Sequence, residues 1–387
     1  MLERALRLEK QLVDIRRDIH AHPELGFHES RTSQKVSDVL TSLRVEHQRG
    51  IAKTGVVATL GDGHGPTVAL RADMDALPIQ EANDVAYRSQ TPNVMHACGH
   101  DAHTAALLGA AMLLVKEDLH GTVRLIFQPS EEAQDGEHKS GGLRMVEEGA
   151  LDAVDAVFAL HVASDMPVGM IEIGDGPIMA AVDSFQARVI GRGCHGAYPH
   201  KGLDPVWLAA QVINAIHGIV PRRIDPTQPA LISACTIHGG IADNVIPEEI
   251  TLTGTIRSFD AGIRKQLHDE LRRACALASG LGGEYELAII GGYPPTVNDA
   301  QQAAFLRSVA QVVLPDTQIV TKPPLHMGAE DFSFMAQKAP GAFAHIGAGK
   351  GDRPRPHHNP HFDIDEVVIA RGAALLAETA LRYLRNG

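Results

Sequence analysis

Apolar residues follow two different spacings along the chain, and each spacing predicts a type of element. Near the N-terminus they recur at helical spacing among charged residues, which predicts an amphipathic helix over residues 2–19 that ends at His22-Pro23. Four short apolar runs follow, separated by stretches with helical spacing: residues 55–60, 67–71, 122–128 and 156–161. Such runs are typical of an α/β fold with a mainly parallel or mixed sheet flanked by helices. Polar residues at the strand ends then become candidates for chemistry.

The pattern changes near residue 183 and returns near residue 296. Between these points it predicts strands and helices in the order βαββαβ: residues 184–191, 205–219, 230–238, 250–257, 261–278 and 284–290. This order predicts a small ferredoxin-like module with a four-stranded antiparallel sheet. After it, helical and strand patterns alternate again, and residues 366–384 predict a last amphipathic helix. We therefore predict a discontinuous domain, 1–182 and 296–387, with a second domain, 183–295, inserted into it.

Composition narrows the class of protein. The 387 residues suffice for two domains, each with its own core, and the net charge of -12 argues against nucleic acid or an anionic membrane as a general partner. The four cysteines are widely spaced, which favours a reducing compartment over a disulfide framework. The sequence has no apolar leader, and no apolar run approaches the roughly 20 residues that span a bilayer. We expect a soluble cytoplasmic protein.

The densest candidate chemistry is the segment His96-Ala97-Cys98-Gly99-His100-Asp101-Ala102-His103-Thr104, which precedes an Ala/Leu-rich helix. Cysteine supplies a thiolate and histidine a neutral imidazole nitrogen, and both ligate divalent metal ions. The alternative is a buried cysteine beside a helix cap, since Asp101 or Thr104 could cap that helix. The crowding of ligand-type side chains favours the metal site.

A second candidate is the pair Glu131-Glu132 in Gln128-Pro129-Ser130-Glu131-Glu132, at the end of a predicted strand. Adjacent carboxylates repel each other unless a cation or a proton compensates their charge. One carboxylate could then ligate a metal while the other takes a proton from an attacking water, which is what hydrolysis needs. By itself, a Glu-Glu pair is more often a solvated surface feature, and its position after Pro129 favours function modestly.

Further candidates lie at other strand ends. His161 closes the apolar run Val157–Leu160, and His358 lies in Pro356-His357-His358-Asn359-Pro360. A lone histidine is usually structural, but strand ends share one edge of the sheet, so convergence with Cys98 and Glu132 is expected. Asp73 and Asp75, in Arg71-Ala72-Asp73-Met74-Asp75, follow another strand and could orient histidine ligands, or belong to a turn before Pro78.

The inserted domain adds candidates for contacts with substrate. His195, in Gly193-Cys194-His195-Gly196, could donate a hydrogen bond to a developing oxyanion, although a structural turn is an equal alternative. Asn244 and Arg257 could bind a substrate carboxylate, because an arginine can contact a carboxylate through two hydrogen bonds. Arg257 could equally be an exposed strand charge.

Several of these motifs together resemble a known family. The chain resembles the di-metal aminoacylase and exopeptidase family, in the branch of hippurate hydrolase, N-acyl-L-amino acid amidohydrolase and plant auxin (IAA)-amino acid hydrolase. The resemblance covers nearly the whole chain and rests on these ordered segments: Asp18–Phe27, Arg71–Pro78, His96–Thr104, Gln128–Glu132, His195–His200, Met327–Phe332 and His358–Pro360.

The resemblance implies a dinuclear metal centre and a homodimer. Two divalent ions would be held by five residues: Cys98, His100, Glu132, His161 and His358. Glu131 would be the general base and Asp75 an orienting residue, while residues 183–295 would form a lid and dimerisation domain whose His195 reaches the partner's site. Many relatives have His-x-Asp where this chain has Asp73-Met74-Asp75. The roles of Asp73 and Asp101 therefore stay open, and so does the metal, which could be zinc, manganese, nickel or cobalt.

The expected activity is hydrolysis of N-acyl L-amino acids, with acetyl, benzoyl or another aromatic acyl group, to a carboxylic acid and a free amino acid. One alternative is a dipeptidase or an N-acetyl-diamino-acid deacetylase with the same metal site. A second is a non-catalytic metal-binding assembly protein, against which the free carboxylate of Glu131 argues. A third is an amidase that uses Cys98 as its nucleophile, whose activity would resist chelators.

Overall fold

The computed structural model describes residues 1–351 and 353–386, which fall into two compact units. The large unit comprises Met1–Gly176, Val297–Pro324 and Asp331–Gly387, and the small unit comprises Pro177–Thr296 and Leu325–Glu330. The helices are α1 Leu2–Leu6, α2 Glu9–Ala21, α3 Ser30–Ser42, α4 His100–Leu114, α5 Gly141–Glu147, α6 Pro205–Arg223, α7 Ala261–Cys275, α8 Leu277–Gly280, α9 Ala300–Val313, α10 Phe332–Lys338 and α11 Val367–Asn386. The strands are β1 Glu46–Ile51, β2 Gly55–Gly61, β3 Thr67–Asp73, β4 Thr122–Gln128, β5 Ala156–Pro167, β6 Met170–Glu172, β7 Gly176–Met179, β8 Ala181–Ile190, β9 Cys194–His195, β10 Ala230–His238, β11 Val245–Ile246, β12 Glu249–Ser258, β13 Glu284–Gly291, β14 Thr296–Asn298, β15 Gln318–Val320 and β16 Gly341–Gly349.

The large unit is built on a mixed sheet. Within the described residues its eight strands lie in the order β1-β2-β4-β3-β5-β16-β6-β15. The central strands β4, β3, β5 and β16 are parallel to one another, while β1, β2 and β6 pair antiparallel with their neighbours nearer the centre. Central strands such as β3 are buried over almost their whole length, as parallel strands covered on both faces should be. The predicted α/β fold is confirmed.

Helix α4 lies at the centre of the large unit and begins at His100. All its residues are buried, and it packs against α2, α11 and the strands beneath. A helix can be buried on every side when it is apolar all round, and α4 is rich in alanine and leucine. The helix predicted over 2–19 is two helices instead: α1 packs mainly against α11 and α2 mainly against α4, and Arg7 and Leu8 separate them.

The small unit has the predicted ferredoxin-like topology. Elements β8, α6, β10, β12, α7 and β13 follow one another, and the antiparallel strands lie in the order β10-β12-β8-β13. Strand β8 alternates between buried residues, such as Phe185 and Ala187, and exposed ones, such as Ser184 and Gln186. Helices α6 and α7 supply the other half of the core through Leu208, Leu267 and similar residues. Across the described residues, no helix combines the length and apolarity that crossing a membrane requires.

Candidate metal centre

The predicted metal ligands lie together in the large unit. Potential ligand atoms of Cys98, His100 and His161 lie within 4.8 Å of one another, as do those of Cys98, Glu132 and His358, and those of His100, Glu131 and Glu132. Because these groups share members, they form one cluster, which we call the six-residue cluster: Cys98, His100, Glu131, Glu132, His161 and His358. Cys98 and His100 mark the start of α4, the two glutamates follow β4, and His161 lies on β5, which is separated from β4 by β3. The parallel strands thus bring the two glutamates and His161 to one edge of the sheet, where they meet the start of α4.

His161 is held in the form that can ligate a metal. Its Nδ1 donates to the carbonyl oxygen of Val162 at 2.8 Å, so the lone pair of the neutral ring lies on Nε2. That Nε2 lies 3.4 Å from Cys98 Sγ. Burial, assisted by the neighbouring His103, holds the pKa of His161 well below its usual value, which keeps the ring neutral.

His100 is oriented by a carboxylate that also fixes a second part of the cluster. His100 Nδ1 donates to Asp75 Oδ1 at 3.0 Å, and Asp75 Oδ2 accepts from the backbone N–H of Glu132 at 3.0 Å. The remaining nitrogen, His100 Nε2, is buried and has no hydrogen-bond partner among the described residues. A buried nitrogen without a partner costs free energy, and a metal ion would satisfy it.

The two glutamates differ in their surroundings. Glu132 has an oxygen 3.0 Å from His358 Nε2 and is partly exposed, as is His358. The side chain of Glu131 is buried, and one of its oxygens accepts weakly from the backbone N–H of Asp331 at 3.4 Å. Both follow Ser130, whose φ of +43° is uncommon for a residue other than glycine.

The charge of the cluster fits a divalent cation. Burial alone would lower the pKa of His100, but the carboxylates of Asp73, Asp75 and Glu132 raise it to about 10. Burial and the nearby glutamates raise the pKa of the Cys98 thiol well above its usual value. Both shifts report dense negative charge, which a divalent ion would compensate while displacing protons from its ligands. Sulfur, nitrogen and oxygen donors together suit the zinc-like and manganese-like ions.

Asp73, whose role the sequence leaves open, accepts hydrogen bonds from two neighbours. Its Oδ1 accepts from His103 Nδ1 at 2.6 Å, and its Oδ2 accepts from Arg71 Nη1 at 2.8 Å. His103 Nε2 accepts in turn from the backbone N–H of Val162 at 2.9 Å, so both ring nitrogens of His103 are used. Asp73 and His103 therefore link β3 to β5 through hydrogen bonds beside the cluster.

Asp101 and His96 lie on the other side of α4. Asp101 Oδ2 lies 2.7 Å from Arg16 Nε and accepts from His20 Nδ1 at 2.8 Å, so the carboxylate belongs to a buried ion network. His96 is buried, and neither ring nitrogen has a hydrogen-bond partner in the part of the chain that the structure describes. Burial lowers its pKa to about 4, which keeps the ring neutral.

Two residues near the cluster were not assigned a role by the sequence. Asp331 is fully buried and accepts from Gln128 Nε2 at 2.7 Å and from the backbone N–H of Gly142 at 2.7 Å. It lies in the motif Met327–Phe332, which the family resemblance marks without indicating a role. His357 Nδ1 lies 3.6 Å from Cys98 Sγ. The family resemblance indicates the adjacent His358 as a ligand, although the residue types do not distinguish the two histidines.

The predicted substrate contacts lie in the small unit. His195 and Asn244 belong to one groove there: both residues line it, and the backbone N–H of Gly196 donates to the carbonyl oxygen of Asn244 at 2.8 Å. Arg257 is not part of that groove within one chain. It lies near the far end of β12, eight residues from Glu249, which is roughly 26 Å along an extended strand.

Comparison with known proteins places the chain in a family. Residues 69–382 match the model of Peptidase family M20/M25/M40, and the chain belongs to this family. It is 42% identical over 384 residues to thermostable carboxypeptidase 2 of Saccharolobus solfataricus, covering 97% of this chain and 96% of that one. It is 40% identical over 382 residues to IAA-amino acid hydrolase ILR1-like 4 of Arabidopsis thaliana, covering 96% of this chain and 86% of that one.

A solved structure agrees with the sequence matches. The YXEP protein of Bacillus subtilis, described as a dinuclear metal binding peptidase from the M20 family, has a TM-score of 0.85 and 33% identity. The match covers 98% of this chain and 99% of that one. The predicted family is confirmed, and so is the predicted class: the protein is a metal-dependent hydrolase of amide bonds.

Proposed function

We propose that the protein hydrolyses N-acyl L-amino acids to a carboxylic acid and a free amino acid. The observation that carries the proposal is the buried carboxylate of Glu131 beside the ligand-type residues of the six-residue cluster. A pure metal-binding protein has no need of a further carboxylate there, whereas amide hydrolysis needs a base for water and an acid for the departing amine. The Arabidopsis relative, named an IAA-amino acid hydrolase, supports an acyl amino acid as substrate.

In this proposal, two divalent ions are held by the other five residues of the cluster. They would polarise the scissile carbonyl and make water more acidic. Glu131 takes a proton from the attacking water and returns it to the nitrogen of the departing amino acid. Its position suits this role, because the side chain is buried and one of its oxygens lies beside ligand atoms of His100 and Glu132. Asp75 keeps His100 in the tautomer that leaves Nε2 available.

The small unit supplies the proposed contacts with substrate. His195 would donate to the oxyanion, and Asn244 and Arg257 would hold the amino acid's carboxylate. Since Asn244 and Arg257 lie apart within one chain, we propose that they meet through a homodimer, each from a different subunit. In such a dimer, His195 of one subunit would serve the site that holds Glu131 of the other. Mixing the inactive variants Glu131→Gln and His195→Ala should then restore part of the activity, because one site of a mixed dimer has both residues intact. Mixtures that stay as inactive as their components would contradict the dimeric site.

The division of labour between the glutamates gives a direct test. Glu131→Gln should keep its metal and lose most turnover, since the amide cannot accept the proton. Glu132→Ala and Cys98→Ser should lose metal as well as activity. Metal content by elemental analysis and turnover, measured on the same samples, separate the two outcomes. Full activity of Glu131→Gln protein stripped of metal would overturn the mechanism.

The substrate class has a specific rival. The alternative on the same scaffold is a dipeptidase or a deacetylase of N-acetyl-diamino acids. The Saccharolobus relative, which is named a carboxypeptidase, supports a peptide as substrate. N-acetyl, N-benzoyl and dipeptide substrates should be compared after chelation and after adding manganese, cobalt, nickel or zinc. Faster turnover of free dipeptides than of every acyl amino acid would favour the rival. The native metal and a cytoplasmic location stay predictions.

An amidase with Cys98 as its nucleophile is the least favoured alternative. A cysteine nucleophile reacts as the thiolate, and burial together with the nearby carboxylates raises the pKa of the Cys98 thiol instead of lowering it. Activity that survives chelation and is abolished by thiol alkylation would nevertheless establish that mechanism.

A further inference from the structure

The turn that carries Glu131 and Glu132 is held in an uncommon conformation. Ser130 has φ of +43°, a region that side chains disfavour, so neighbouring groups must hold it there. All its polar atoms are engaged. Its Oγ donates to the carbonyl oxygen of Ala133 at 3.0 Å, and its carbonyl oxygen accepts from the backbone N–H of Gly141 at 2.9 Å.

The remaining polar group, the backbone N–H of Ser130, donates to a side chain far away in sequence. Its acceptor is Glu29 Oε1 at 2.8 Å, and Thr54 Oγ1 donates to Glu29 Oε2 at 2.5 Å. Glu29 and Ser130 are both fully buried from solvent. A water molecule could therefore not replace the carboxylate without a rearrangement of this region.

The side chain of Glu29 does not cap the helix that begins after it. It occupies the N-cap position of α3, yet its side chain makes no capping hydrogen bond. The carboxylate of Glu24 caps α3 instead, because it accepts from the backbone N–H groups of Arg31 at 2.9 Å and Thr32 at 2.8 Å. A second carboxylate thus frees Glu29 to reach Ser130.

The segment before Glu29 also fits closely against the turn. A Cβ atom added to Gly26 would lie 2.3 Å from Ser130 Oγ and 3.2 Å from its Cα. The backbone of Glu24 is anchored nearby, because its carbonyl oxygen accepts from the N–H of Ala76 at 2.8 Å. Residues 24–29 therefore support the turn through a close steric contact at Gly26 and a buried hydrogen bond from Glu29.

We propose that Glu29 is a positioning residue, which fixes the Ser130 turn and through it the proton-transfer group Glu131 and the metal ligand Glu132. The proposal rests on the proposed function of these two glutamates. Without the Glu29 carboxylate, the Ser130 N–H is buried without a partner and φ can relax, so both following side chains shift. Catalytic geometry tolerates little of this, since a displacement of about 1 Å can reduce turnover about 100-fold.

The test compares Glu29→Ala with Glu29→Gln. The glutamine keeps an oxygen for the Ser130 N–H and an amide that can donate to Thr54 Oγ1, whereas alanine keeps neither. We expect Glu29→Ala to lower kcat about 10- to 100-fold with little change in KM, and Glu29→Gln to stay within about threefold of the wild type. Metal affinity, measured by competition with a chelator, should fall about tenfold in the alanine variant alone.

A matched control separates positioning from loss of stability. Asp299 caps α9 in the same unit by accepting from the Gln302 N–H at 2.9 Å, so Asp299→Ala removes a comparable hydrogen bond elsewhere. Its kcat and metal affinity should match the wild type. Equal damage in Glu29→Ala and Glu29→Gln, or wild-type kcat and metal affinity in Glu29→Ala, would overturn the proposal. If Glu29→Ala does not fold, Glu29→Asp, which is one methylene too short, takes its place.

Failure of the proposed function gives a different result. If the wild type hydrolyses none of the acyl amino acids or dipeptides, the proposed function fails, but the metal affinities of the Glu29 variants still test the turn. Weaker metal binding in Glu29→Ala, restored in Glu29→Gln, would then support the positioning role of Glu29 on its own.

Discussion

Replacing Arg16 by methionine should destabilise the large unit strongly, because it removes the cation from a buried ion network. Arg16, on α2, is fully buried, and its Nε lies 2.7 Å from Asp101 Oδ2. Its Nη1 also lies 3.2 Å from Glu366 Oε1 on the chain entering α11. Asp101 is the second residue of α4, directly after His100, so this network ties the N-terminal helix to the helix that carries a proposed ligand.

The magnitude follows from the burial of both partners. Removing one partner of a buried pair costs about 3 to 5 kcal/mol, because the other charge stays buried without compensation. Arg16→Met leaves Asp101 with His20 as its remaining charged partner at hydrogen-bond distance. In the double variant Arg16→Met/Asp101→Asn, neither charge remains, and we expect a smaller loss than in Arg16→Met alone.

Chemical unfolding followed by far-UV circular dichroism can measure these losses. Fluorescence is less suitable, since the chain has a single tryptophan, Trp207, which lies on α6 of the small unit. A loss of less than about 1 kcal/mol in Arg16→Met, or a loss in the double variant equal to the sum of the single ones, would refute the predicted coupling between Arg16 and Asp101.

The pH dependence of the loss provides a second check. Burial would raise the pKa of Asp101, but the charges of Arg16 and His20 hold it far below its usual value. A group with a depressed folded-state pKa stabilises the fold above its unfolded pKa, about 3.9, and loses that contribution as the pH falls further. The difference between wild type and Arg16→Met should therefore be constant from about pH 7 to pH 5 and shrink below about pH 4.

Three further predictions follow from single contacts. Asp75→Asn should weaken metal binding about 10- to 100-fold, measured by chelator competition, because the orientation of His100 is disturbed. Gly141→Ala should lower the melting temperature, at a cost of about 1 to 3 kcal/mol, because its Cβ would lie 1.7 Å from the Pro129 carbonyl oxygen. Burial and the charge of Asp75 raise the pKa of Glu29 to about 7, so the folded state binds this proton more tightly than the unfolded state. Wild-type stability should then fall by about 3 kcal/mol relative to Glu29→Gln between about pH 4.5 and pH 8, and unfolding midpoints that shift in parallel would contradict this.

The fold was predictable where burial selects side chains. The run predicted at 122–128 is strand β4 with the same bounds, since five of its seven residues are buried and four of those five are apolar, as burial in a central strand favours. Strand β1, with the sequence Glu46-His47-Gln48-Arg49-Gly50-Ile51, was not predictable in this way. It is a mostly exposed edge strand held by its backbone ladder to β2, and a backbone ladder places little demand on side-chain type.

The candidate site was predictable where side chains of distinctive chemistry stand at strand ends. Glu132 follows β4 in this way, Cys98 and His100 stand at the start of a helix instead, and the structure gathers all three into one cluster. Glu29 could not be found in the same way. Its partner is a backbone N–H 101 residues away, and a contact between a side chain and a distant backbone group leaves no pattern of residue types to detect.

Among the histidines near the cluster, the hydrogen bonds of the ring nitrogens decide which ring can ligate a metal. His103 and His161 lie with ring centroids 4.5 Å apart and are equally plausible ligands by type. His103 has an acceptor on one side, Asp73, and a backbone donor on the other, Val162, so no lone pair is left. The carbonyl oxygen of the same Val162 takes the Nδ1 proton of His161 and leaves its Nε2 directed at Cys98. Val162 thus donates through its N–H to the ring of His103 and accepts through its carbonyl oxygen from the ring of His161. These two hydrogen bonds give His103 a structural role and leave His161 as a candidate ligand.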